Sequence, residues 1–169
     1  VIRGVLYWVA PLNHRGFFKE LKFDTTPGYI YVSAEDPDAQ AVLVENLSMD
    51  YSYVGEYFGE YIKRILYFHG LHGYTQYEPS FELDDDFNPW WVVSLSKPSI
   101  GLSGDIMKKV VLFSPINGTL KIYNFKEQPG WVDRAFPEKM AEEYSTWWGM
   151  YKHGFWNTVL AEEDVKIPT

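Results

Sequence analysis

A 169-residue chain of formal charge −8, its few Lys and Arg scattered, suits neither nucleic acid nor anionic lipid, both of which need clustered basic side chains. The absence of cysteine removes disulfides, thiolate zinc sites, iron–sulfur clusters and cysteine nucleophiles together. With 46% hydrophobic and 18% aromatic residues there is material for one core, so a single domain over 1–169 is expected, with some rings left at the surface.

No run of ~18 apolar residues occurs, so no segment is expected to span a bilayer. The opening on Val1 points to a processed or excised piece of a longer protein, expected to be membrane-anchored. In chain order, Val5 to Val9 predicts a strand stopped at Ala10-Pro11, and Asn13 to Gly16 a polar turn. Thr26-Pro27-Gly28 is turn chemistry, followed by a β run at Tyr29-Ile30-Tyr31-Val32. Asp36-Pro37-Asp38 has the N-cap and first-turn residues of a short helix, which Ala41 to Val44 would continue or replace with a strand.

Val54, Tyr57, Phe58, Tyr61, Ile62, Ile65, Leu66 and Phe68 recur every three or four positions, the apolar face of a helix over 54–69 that Gly70 would end. Strands are expected at Tyr77–Leu83 and Trp90–Leu95 around an acidic loop, then a longer connection over 98–104. Lys109–Phe113 and Thr119–Phe125 form the next pair, joined through Asn117-Gly118, the strongest short hairpin signal in the chain. Trp131 to Pro137 predicts a compact aromatic turn or short helix. A helix carrying Met140, Tyr144, Trp147, Trp148 and Tyr151 follows, and the end from Ala161 is expected to fray.

The helix, the hairpin through Phe81-Glu82-Leu83-Asp84-Asp85 and the hairpin Val110-Val111-Leu112-Phe113-Ser114-Pro115-Ile116-Asn117-Gly118 together resemble the PepSY-type domain. The resemblance covers roughly residues 54–125. It implies a small non-catalytic domain outside the cytoplasm, of a kind associated with restraining peptidases or with sensing at the cell envelope. The segment 129–160 lies outside that pattern, as an aromatic-rich helical extension.

Chemistry-bearing groupings are sparse. Asp84-x-Asp86-x-Asn88 opens like a calcium loop, but Pro89 stands where Gly is needed and Leu95 where a bidentate Glu is needed, leaving an acidic turn. His69 and His72 flank a helix end without further ligands close in sequence. Gly101-Leu102-Ser103-Gly104 lacks the frame of a nucleophile elbow. Glu142-Glu143 and Glu162-Glu163 are adjacent, so on a helix they diverge by about 100° and read as solvated face. No metal, cofactor or catalytic residue is therefore assigned.

The expected fold is α+β: a mainly antiparallel sheet carrying one amphipathic helix, with a C-terminal aromatic-rich helix. The expected role is a non-enzymatic protein- or peptide-binding regulatory domain of an extracytoplasmic, cell-envelope protein. It would use the sheet edge or an aromatic surface drawn from Trp90, Trp91, Trp131, Trp147, Trp148 and Trp156. The alternative is a glycan-binding module stacking sugars on those same rings.

Overall fold

The computed structural model describes residues 1–12, 26–50, 62–100, 103–161 and 163–164. Its contacts form two compact units, 1–135 and 136–169, with the boundary inside the expected 129–160 extension. The class is α+β, with antiparallel sheets and few helices.

The first unit opens with a three-stranded sheet in the order β1 (Tyr7–Pro11), β2 (Thr26–Ser33), β3 (Val42–Met49). β1 starts later than Val5 because Ile2 and Val5 close a tight turn with Arg3 and Gly4 at positive φ. Thr26-Pro27-Gly28, expected as a turn, instead opens β2. β3 runs so close there that a Cβ on Gly28 would collide with the Val44 carbonyl oxygen. Asp36 to Asp38 forms a turn and no helix: the Asp38 N–H donates to Asp36 Oδ1 at 3.0 Å, an alternative to helical bonding typical of Asp. The residues after it choose the strand.

Of the helix expected over 54–69, positions 54–61 lie outside the described residues. The remainder forms α1 (Ile62–Leu66) and a wide turn, Tyr67–Leu71. Gly70 has φ 79°, the left-handed conformation of a helix-ending glycine. Ile62 and Leu66 are buried, but Phe68 is exposed: it lies about 200° around the helix from Leu66.

The second sheet holds β4 (Thr75–Gln76), β5 (Ser80–Leu83), β6 (Pro89–Ile100), β7 (Ser103–Phe113) and β8 (Leu120–Asn124). The strand expected over 77–83 forms only from Ser80, after Pro79; Thr75–Gln76 makes a separate short strand before it, and both pair with β6. β6 and β7 extend through most of the loop expected over 98–104. Pro98 is tolerated because it lies beyond the last β6 residue that β4 pairs, so its missing N–H interrupts no second ladder.

β7 and β8 are antiparallel, with Phe113 opposite Leu120. The turn is wider than a two-residue Asn-Gly turn. Ser114 N–H donates to the Thr119 carbonyl at 2.9 Å, Gly118 N–H to the Ser114 carbonyl at 3.0 Å, and Gly118 sits at φ 69°.

Both faces of β6 and β7 are covered, which explains their unbroken apolar runs. Trp91, Val93, Leu95, Val111 and Phe113 pack against Ile62, Leu66 and Leu71. On the opposite face, Trp90, Val92, Val110 and Leu112 pack against Val132 and Ala135 of the 129–135 strap. Each buried Val or Leu contributes roughly 1.5–3 kcal/mol. A third cluster joins the two sheets: Tyr29 and Tyr31 meet Phe81, Leu83 and Phe87, and Phe81 stands edge-on to Trp91 with centroids 5.1 Å apart.

The second unit consists of α2 (Glu138–Tyr151), entered through Pro137 in extended conformation, and a wide C-terminal turn, Asn157–Ala161. Gly154, at φ 90°, separates them.

Candidate binding surfaces

The strand period places Trp90 and Trp91 on opposite faces of β6, and both faces are occupied. Neither ring is therefore an exposed platform: Trp91 lies under α1 and Trp90 under the strap. The alternation was legible in the sequence; the return of 129–135 over the second face was not. Trp90 donates its indole N–H to Asp84 Oδ2 at 3.0 Å, and the Lys121 ammonium lies 4.8 Å from its ring centroid. Trp131 is half-buried beside it, at 6.3 Å between centroids.

The acidic loop that begins like a calcium site is organised by its own donors. Asp84 Oδ1 accepts the backbone N–H groups of Asp86 and Asn88 at 2.9 and 2.8 Å. The Asn88 amide reaches both carboxylate oxygens at 3.1 Å. Burial alone would raise the Asp84 carboxyl, but the bonds from Trp90, Asn88 and Asp86 outweigh it and hold its pKa below the ordinary value. Phe87, at φ 61°, completes the turn. Asp85 and Asp86 meet Arg3: its Nε donates to the Asp85 carbonyl at 2.9 Å and its Nη2 to Asp86 Oδ1 at 3.3 Å.

Glu82 is the buried carboxylate of β5, a role with no signal in the residue pattern. It accepts the backbone N–H groups of Asp133 at 2.8 Å and Arg134 at 3.1 Å, and the Ser80 hydroxyl at 2.7 Å. Those bonds tie the strap to the sheet, and Ser94 Oγ adds another by donating to the Ala135 carbonyl at 2.8 Å. Desolvation pushes the Glu82 pKa up against the lowering effect of these donors. Asp133 and Arg134 themselves are exposed and serve the strap through their peptide groups, and the Asp133 carboxylate pairs with the Val1 ammonium.

His69 Nδ1 lies 2.8 Å from the Ile65 carbonyl, and the His72 ring packs 5.3 Å from Tyr67. Among the described residues no group of three or more His, Asp or Glu is placed to hold a metal. No described helix is long and apolar enough to cross a membrane.

The exposed rings lie elsewhere. In the second unit Trp147 is half-buried against Tyr144, at 5.2 Å, whereas Trp148 is 66% and Trp156 72% exposed. Tyr151 and Phe155 stack at 6.4 Å with planes 13° apart, and Phe155 meets Trp156 edge-on at 5.6 Å. Lys152 Nζ stands 5.4 Å from the Trp148 centroid. Val159 and Leu160 extend the apolar exposure, and residues 144–161 carry no carboxylate side chain. In the first unit Trp8, 72% exposed, stands with Leu6 and Leu43 on the outer side of the three-stranded sheet. Sequence reasoning overlooked Trp8, although its place between the inward residues Tyr7 and Val9 signalled it.

Compared with protein-family models, curated proteins and solved structures, the chain matches none.

Proposed function

We propose that this chain is a non-catalytic protein- or peptide-binding domain that works outside the cytoplasm as part of a cell-envelope protein. The PepSY-like resemblance of residues 54–125 belongs to the same proposal and supplies its envelope location. One observation carries the binding reading: Trp148, Tyr151, Phe155, Trp156 and Leu160 stand exposed within one short stretch. Large aromatics dominate the energetics of protein interfaces, and desolvating them is the source of that energy. Exposed apolar groups of this extent mark contact surfaces. Among the described carboxyls, Glu82 and Asp84 are displaced from their ordinary titration, and both are engaged by backbone or indole donors, which supports a structural role for them.

Photo-crosslinking from the full chain tests this. A photoreactive residue at position 148 or 156 is expected to capture one discrete envelope protein, and one at the buried position 91 to capture none. A glycan retained on an array by the parent chain and lost with W148A/W156A would replace this reading with the carbohydrate one. Equal capture from 91 and 156 would overturn both.

A further inference from the structure

The outer edge of β8, on the first unit, is a candidate contact site separate in sequence from the aromatic stretch. β8 pairs with β7 in unbroken register from Lys109–Asn124 to Phe113–Leu120, and no described strand pairs its other side. Phe125 N–H donates to the Lys108 carbonyl and Ser114 N–H to the Thr119 carbonyl. In an antiparallel ladder these bonds fix the parity: odd-numbered residues of β8 face β7, and Leu120, Ile122 and Asn124 turn their N–H and C=O groups outward. The Asn124 carbonyl is taken by the Glu127 N–H, so three N–H groups and two carbonyls along the edge have no backbone partner among the described residues.

The opposite side of the same sheet is blunted. Two short strands share it, separated by residues 77–79, which end in Pro79. β8 has neither a proline nor a register shift.

Charge selects the occupant. Residues 106–126 hold Lys108, Lys109, Lys121 and Lys126 against a neighbouring carboxylate, Glu127, which accepts from the Asn124 amide at 2.9 Å, in a chain of net −8. Lys121 projects on the face of Tyr123, with its ammonium held over Trp90. Ile122 projects on the opposite face and is 43% exposed. An added strand therefore meets the Lys121 cation on one face and the apolar Ile122 on the other, where Lys109 pairs with Asn124 one strand further in. We propose that the β8 edge binds an extended peptide with alternating carboxylate and apolar side chains, as an additional antiparallel strand.

The probe is a labelled short peptide alternating Glu and Val, followed by fluorescence anisotropy against the full chain, with a Lys–Val peptide as control. The acidic peptide is expected to bind at least about tenfold more tightly and to weaken as salt rises. Ile122→Pro removes an outward donor without touching the β7 ladder, and is expected to abolish binding. K121E/K126E, which alters only exposed side chains, is expected to reverse the preference between the two peptides. The Leu120 and Ile122 amides are expected to gain hydrogen-exchange protection when the acidic peptide is added. Equal affinity for both peptides, unprotected amides, or binding indifferent to K121E/K126E would overturn the proposal and leave the lysines as guards of an exposed edge. W148A/W156A leaves this binding unchanged, which separates it from the aromatic surface of the second unit.

Discussion

Glu82 and Asp84 lie two residues apart, yet their environments push them in opposite directions. Glu82 is buried and raised; Asp84 is surrounded by donors and lowered. The stability Asp84 lends is complete above its ordinary value, about pH 4, and is lost as pH falls through the lowered one. For Glu82 the contribution is complete below about pH 4.3 and declines as pH climbs through the raised value. Thermal melts across acid to neutral pH are expected to show both limbs. Asp84→Asn should flatten the acid limb and Glu82→Gln the upper one, whatever their offsets, and reversed slopes would contradict these assignments. Glu82→Ala is expected to cost about 1–3 kcal/mol in chemical denaturation, because the Asp133 and Arg134 N–H groups lose their acceptor.

Among the elements, β6 carries most of the design, since it forms a wall of both cores. Trp91→Ala should cost about 3–5 kcal/mol, the usual penalty for emptying a packed ring site. Trp156→Ala, on an exposed ring, should change stability by no more than about 0.5 kcal/mol. A denaturation midpoint moved equally by the two would show that the exposure pattern is mistaken. The hairpin between β7 and β8 was legible because Asn117-Gly118 is local chemistry that tertiary contacts rarely override. The extent of β6 was not legible: Pro98 reads as a breaker unless one knows that β4 stops short of it. The tryptophan pair was half legible, since alternation fixes opposite faces but says nothing of what covers each.

For the whole molecule, the class followed from periodicity and turn residues, whereas the location of exposed apolar surface depended on long-range packing. Trp90 and Trp91 were taken up by the cores. Trp8 on the first unit and Trp148 and Trp156 on the second remain in solvent. Surface of this kind should make the unpartnered chain self-associate as its concentration rises, a tendency sedimentation velocity would detect and W148A/W156A should diminish. A parent chain that stays monomeric throughout would remove that expectation. The strap offers a different lesson, about ancestry. Because Glu82 grips peptide groups common to every amino acid other than proline, that hold does not depend on the side chains at 133 and 134, even though the Asp133 carboxylate also pairs with the Val1 ammonium. It does depend on the acid at position 82, so among descendants of this chain that acid should outlast its more conspicuous Asp-Arg neighbours.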